Sequence, residues 1–80
     1  MNRSQEIAYN TLNYFSSDEG FPGGSFAVAL LDAATKADET NLSRLALLYP
    51  DEIAAFRLAT RHSDGLDVLR ARAKDAVVPV

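Results

Sequence analysis

The sequence predicts an all-α fold, a compact bundle of four to five short helices. Thirteen of its 80 residues are alanine, the best helix former, and leucine adds to the same signal. Apolar residues recur at i, i+3 and i+4 along most of the chain, whereas β-branched residues are few and do not alternate as in a half-buried strand. Eighty residues make about one small domain. Residues 1–80 are read as a single helical domain, with 76–80 as an apolar tail that frays, packs as an extended segment or touches a partner.

The first helix fits 3–16. Ile7, Thr11, Tyr14 and Ala8, Leu12, Phe15 give one broad stripe at helical spacing, with Tyr9 to one side. Ser16-Ser17-Asp18-Glu19-Gly20 combines turn residues with a glycine stop. Gly20-Phe21-Pro22-Gly23-Gly24 is a loop, because Pro22 biases Phe21 toward extended geometry. A second helix starts at Ser25, whose hydroxyl is expected to cap the first turn. Its core face is read as Phe26, Ala29, Leu30, Ala33 and Ala37, widened by Val28 and Leu31. So many apolar positions predict burial on more than one side. Asp38 closes this helix and caps the next, with Asn41 three positions on.

A third helix fits 39–48, with Leu42, Leu45, Leu48 and Tyr49 inward. Pro50 stops it and serves as the first residue of the fourth, since proline lacks the N–H that a helix start leaves unpaired. Asp51 and Glu52 then lie where negative charge favours the helix dipole. Ile53, Phe56 and Thr60 form the inner stripe of the fourth helix, and Arg57 and Arg61 lie on another face. Ser63-Asp64-Gly65 ends it. A short fifth helix, 66–75, points Leu66, Leu69 and Ala73 inward. The expected core includes Leu12, Phe15, Phe26, Leu30, Leu45, Leu48, Ile53 and Phe56.

Composition excludes several classes of function. There is no cysteine, hence no disulfide staple, thiol nucleophile or cysteine-based zinc site. The longest apolar stretch is too short to span a membrane, and the first twenty residues lack the apolar run of a signal peptide. The expectation is a cytoplasmic protein. The net charge is −3 and uneven. Residues 1–40 hold two bases against six acids, a net of −4, and residues 41–80 hold six bases against five acids, a net of +1. An acidic first half disfavours general nucleic-acid binding, which needs clustered cations.

Little in the sequence carries chemistry. His62 is the single histidine; with carboxylates alone it makes a poor metal set, and it suits a last helical turn instead. A Ser25- or Ser63-based triad lacks a nucleophile turn and a dry cleft. Asp18-Glu19 and Asp51-Glu52 are adjacent pairs, which point about 100° apart on a helix and do not make a catalytic dyad. Pro22-Gly23-Gly24-Ser25 gathers free N–H groups but lacks the Gly-Lys-Ser/Thr of a phosphate loop. No catalytic, cofactor or metal residue is assigned, and no enzyme activity is expected.

Partner contact is the remaining role. Aromatic and arginine side chains are enriched at protein interfaces. The candidate partner-binding residues are Tyr9, Tyr14, Phe21, Arg57, Arg61, Leu66, Leu69 and Arg70. Arg57, Arg61, Arg70, Arg72 and Lys74 make a basic C-terminal face, which carries the rival reading of a small DNA-binding regulator. A domain with marginal burial is also expected to pair with a second copy.

Phe21-Pro22-Gly23-Gly24-Ser25-Phe26, Ala29-Leu30, Ala33-Ala34, Ala37-Asp38 with Asn41, Arg44-Leu45 and Tyr49-Pro50-Asp51-Glu52 form a recurrent pattern. Over residues 20–52 the chain resembles small helical proteins of bacteriophages, prophages and plasmids. The resemblance implies a mobile-element origin and no catalytic residues. The resulting expectation is a phage-type accessory protein in a bacterial host cell, which modulates or inhibits a host or phage protein by binding it.

Overall fold

Capping chemistry sets the helix boundaries. The computed structural model describes residues 1–74, and among them five helices follow in order: α1 (Arg3–Phe15), α2 (Ser25–Lys36), α3 (Glu39–Leu48), α4 (Pro50–Arg61) and α5 (Gly65–Lys74). The fold is a small all-α bundle, as its sequence predicts. No helix among the described residues is long and apolar enough to cross a membrane. The tail expected at 76–80 and residue 75 lie outside the described residues.

Asn2 opens α1 through a reciprocal capping box. Its Oδ1 accepts from Gln5 N at 2.8 Å, and its own N donates to Gln5 Oε1 at 2.9 Å. The buried Gln5 side chain also donates from Nε2 to the Ala73 carbonyl at 3.1 Å. One amide thus ties the start of α1 to the end of α5. Asp38 caps α3 as expected, with Oδ1 accepting from Asn41 N at 2.8 Å. Pro50 is the first residue of α4.

Ser25 does not cap α2. The N-cap is Gly24, no side chain bonds the first turn, and Ser25 is already helical. Asp38→Ala is therefore expected to lower stability by on the order of 1 kcal/mol. Ser25→Ala, which removes no cap bond, should stay within about 0.5 kcal/mol of the parent. Thermal melts of the two variants check both, and equal losses would contradict this assignment of the caps.

Two apolar clusters share α4. Ala8, Leu12, Ala55, Leu69 and Ala73 bring α1, α4 and α5 together, with Ile7, Tyr9, Leu58 and Leu66 packed against them. Leu31, Ala34, Leu42, Ile53 and Phe56 join α2, α3 and α4, bordered by Tyr14, Leu45 and Tyr49. Leu12, Leu30, Ile53 and Phe56 are buried as expected.

Phe26 and Leu48 are not core residues. They are 61% and 74% exposed. On α2 the buried stripe is Leu30, Leu31 and Ala34, with Ala27 and Ala37 half-buried, and Phe26, Ala29 and Ala33 are exposed. The helix is turned by roughly one residue, about 100°, from the expected phase, and it packs on one side only. An almost wholly apolar helix has no polar face to fix its rotation, so the adjacent leucines decide it. On α3, Leu42 is buried and Leu45, Ala46 and Tyr49 are half-buried. Tyr49, held at the α3–α4 junction by Pro50, takes the inward place expected for Leu48. Phe15 is 37% exposed; its ring lies 5.9 Å from that of Phe56 and covers the edge of the second cluster.

Candidate protein-binding face

The eight residues expected to meet a partner occupy three different settings. Tyr9 stacks on Phe21 at 4.9 Å between ring centroids, folding the α1–α2 loop back over α1. Gly20 makes this return possible. Its φ is +62°, and a Cβ there would stand 2.2 Å from the Tyr9 carbonyl oxygen. Tyr14 donates its hydroxyl to Asp32, and that bond, with some burial, raises the phenol above its ordinary pKa. Leu69 is 0% exposed and Leu66 is half-buried against the first cluster. Leu69 therefore has no surface to offer a partner, because the α1–α4–α5 packing uses all of it.

The three arginines face carboxylates. Arg57 Nη1 meets Glu39 Oε2 at 2.9 Å, and Arg61 Nη2 bonds the other oxygen of the same carboxylate. Arg61 and Arg57 together hold Glu39 below the usual carboxylate range. Arg70 forks onto Glu19, with Nε at 2.5 Å from Oε1 and Nη2 at 2.8 Å from Oε2, and Nη1 reaches Asp67 at 2.6 Å. Arg3 lies 2.8 Å from Glu52 Oε2 and 3.9 Å from Asp51. Of the cations expected to form one basic face, Arg57 and Arg61 share Glu39 and Arg70 binds Glu19 and Asp67, in two separate ion-pair groups.

The Glu19–Arg70 pair has a consequence for stability. The Arg70 hydrogen bonds hold the Glu19 carboxyl at about 2, against an ordinary 4.5. A carboxyl whose pKa is depressed by folding contributes stability above its unfolded pKa, and that contribution is lost as pH falls through the folded value. The difference in melting temperature between wild type and Glu19→Gln should therefore be constant from pH 7 to about 5. It should close between about pH 4.5 and 2. A difference that does not change down to pH 2 would contradict the pairing.

An unexpected feature is an exposed apolar face on α2 and α3. Phe26, Ala29 and Ala33 follow i, i+3, i+7 spacing on the exposed flank of α2. The Phe26 ring sits 5.5 Å from Tyr49 at the end of α3. Leu45 and Leu48 continue from Tyr49 along α3. Glu39 marks the opposite flank of that helix, where it reaches α4. Leu47, 82% exposed, extends the apolar end of α3. The residues of this face are in the sequence, where their spacing places Phe26 and Leu48 in the core. The visible sign was the excess of apolar positions on α2 over what one packed stripe uses.

Among the described residues, no group of three or more His, Asp or Glu side chains is placed to hold a metal ion. His62 is exposed at the C-cap of α4. No family model matches the chain, and comparison with curated proteins and with solved structures gives no match.

Proposed function

We propose that the protein works by binding another protein through the apolar face of α2 and α3. It acts as an accessory protein of the kind found in bacteriophages and other mobile elements, inside a bacterial host cell, where it modulates or inhibits the protein it meets. The observation that carries this reading is the exposure of Phe26, Leu47 and Leu48 at 61%, 82% and 74%. Large side chains left mostly in water on neighbouring helices are what protein contact surfaces offer at their centres. A second copy is one partner that fits, since a two-fold contact uses the same patch twice. The face takes precedence over Leu69, which is buried, and over Tyr9 and Phe21, whose rings stack on each other.

The DNA-binding reading is the weaker one. Phosphate contact needs cations that are not already neutralised, and Arg3, Arg57, Arg61 and Arg70 each lie on a carboxylate. Capture from host lysate on the immobilised protein, at about 0.1 M and 0.5 M salt, separates the two readings. The expected result is a protein retained at both salt concentrations and lost with the double variant Phe26→Asp, Leu48→Asp. Retention of nucleic acid alone, released at the higher salt, would sink the proposal. So would equal capture by the double variant.

A further inference from the structure

We infer that the exposed α2–α3 face takes an amphipathic helix of a partner protein, one that carries carboxylates beside its apolar stripe. The inference rests on the protein-binding reading of this face and names the chemistry of the partner. Residues 1–70 hold six lysine and arginine residues. Four of them, Arg3, Arg57, Arg61 and Arg70, pair with carboxylates of this chain. The other two, Lys36 and Arg44, are exposed and make no ion pair among the described residues. Both belong to the α2–α3 face. Lys36 follows Ala29 at i+7 and Ala33 at i+3 on α2, and Leu48 follows Arg44 at i+4 on α3.

The unpaired charge on this face is positive. Arg44 Nη1 lies 3.4 Å from Asn41 Oδ1, a neutral group. The carboxylates nearest in the chain are already engaged: Asp32 accepts the Tyr14 hydroxyl, Asp38 caps α3, and Glu39 holds Arg57 and Arg61. A second copy would bring the same two cations to the contact and no free carboxylate to meet them. Like charges brought together at an interface are costly, and a partner with carboxylates meets them with the complementary sign. The apolar residues fix the form of that partner. α2 and α3 meet at both ends, through the Ala37-Asp38 connection and through the rings of Phe26 and Tyr49. Two neighbouring helices present ridges at i, i+3 and i+4, which fit the grooves of a third helix. Apolar anchors on such a surface seat the apolar stripe of an amphipathic helix. Phe26, Leu45 and Leu48 are the anchors here, and Lys36 and Arg44 set the charge that flanks them.

The test uses two synthetic peptides, each about four helical turns long, with leucine at i, i+3, i+4 and i+7. One carries glutamate and the other glutamine at the positions flanking the leucines. Each is titrated into the labelled protein and followed by its amide shifts. At about 0.05 M salt the glutamate peptide should give saturable shifts at Phe26, Ala33, Lys36, Arg44 and Leu48. It should bind about threefold or more tighter than the glutamine peptide, the margin expected of two exposed ion pairs. That margin should shrink at about 0.5 M salt, where exposed charges are screened. The double variant Lys36→Glu, Arg44→Glu should reverse the order of the two peptides, and Phe26→Asp, Leu48→Asp should abolish binding of both. Equal binding of the two peptides at this face would overturn the charge selection and leave the protein-binding reading standing. That reading fails separately, on lysate capture unchanged by Phe26→Asp, Leu48→Asp. No saturable binding of either peptide, or shifts confined to other faces, would also overturn the inference. So would the same shifts produced without peptide by raising the protein's own concentration, which would make the occupant a second copy.

Discussion

Phe56→Ala is expected to lower stability by about 3–5 kcal/mol, which would unfold much of the population of a domain this small. Phe56 is 6% exposed. It belongs to the cluster that joins α2, α3 and α4, where Leu31, Ala34, Leu42 and Ile53 surround it. Removing the ring deletes its burial and leaves a cavity that three helices would have to close by moving. Phe26→Ala deletes the same atoms from a residue that is mostly in water. Its cost should stay below about 1 kcal/mol, near the range of surface changes. The pair is decisive because the sequence alone treats both as core phenylalanines. Urea unfolding of the two variants gives the comparison, and a Phe26→Ala loss as large as that of Phe56→Ala would contradict the phase assigned to α2.

Gly65→Ala should be nearly as damaging, although it adds a single methyl group. Gly65 is the buried first residue of α5, and its N donates to the His62 carbonyl at 3.0 Å. A Cβ there would stand 1.6 Å from the Leu58 carbonyl oxygen and 2.4 Å from the Leu58 carbonyl carbon. Both atoms are helix backbone in α4, so no side chain can rotate aside. The α4–α5 turn must open, and that strips Leu69 and Ala73 of their close fit on α1 and α4. A loss of about 3 kcal/mol or more is expected, at the upper end for overpacking. Thermal unfolding measures it, and a variant that melts within a degree of wild type would show that this turn is not closed.

Much of the fold was legible, and the reasons are local. Asp38, Pro50 and the Ser63-Asp64-Gly65 turn state their helix boundaries through capping and backbone chemistry that needs no tertiary context. Most of the α1 stripe and the Ile53 and Phe56 positions of α4 were legible because polar residues bound them; Thr60, expected inward, is exposed near the end of α4, its hydroxyl donating to the Phe56 carbonyl. The stripe of α2 was not legible, since its run from Phe26 to Leu31 has no polar side. There the rotation is decided by the fit of Leu31 and Ala34 against α3 and α4, which is a tertiary fact. The ion pairing within the basic C-terminal face was hidden for a similar reason. Arg57 and Arg61 find Glu39 eighteen and twenty-two positions away, and Arg70 finds Glu19 fifty-one away. Charge counted along a sequence does not show such pairings.

The most direct test of the protein-binding account is a map of backbone amide shifts in the labelled protein. The captured partner is added stepwise; where the partner is a second copy, the protein's own concentration is raised instead. The account predicts shifts that gather at Phe26, Ala29, Ala33, Leu45, Leu48 and Tyr49 and are absent in the Phe26→Asp, Leu48→Asp variant. Shifts that gather instead around Arg57, Arg61 and Arg70, with the α2–α3 face unmoved, would contradict it.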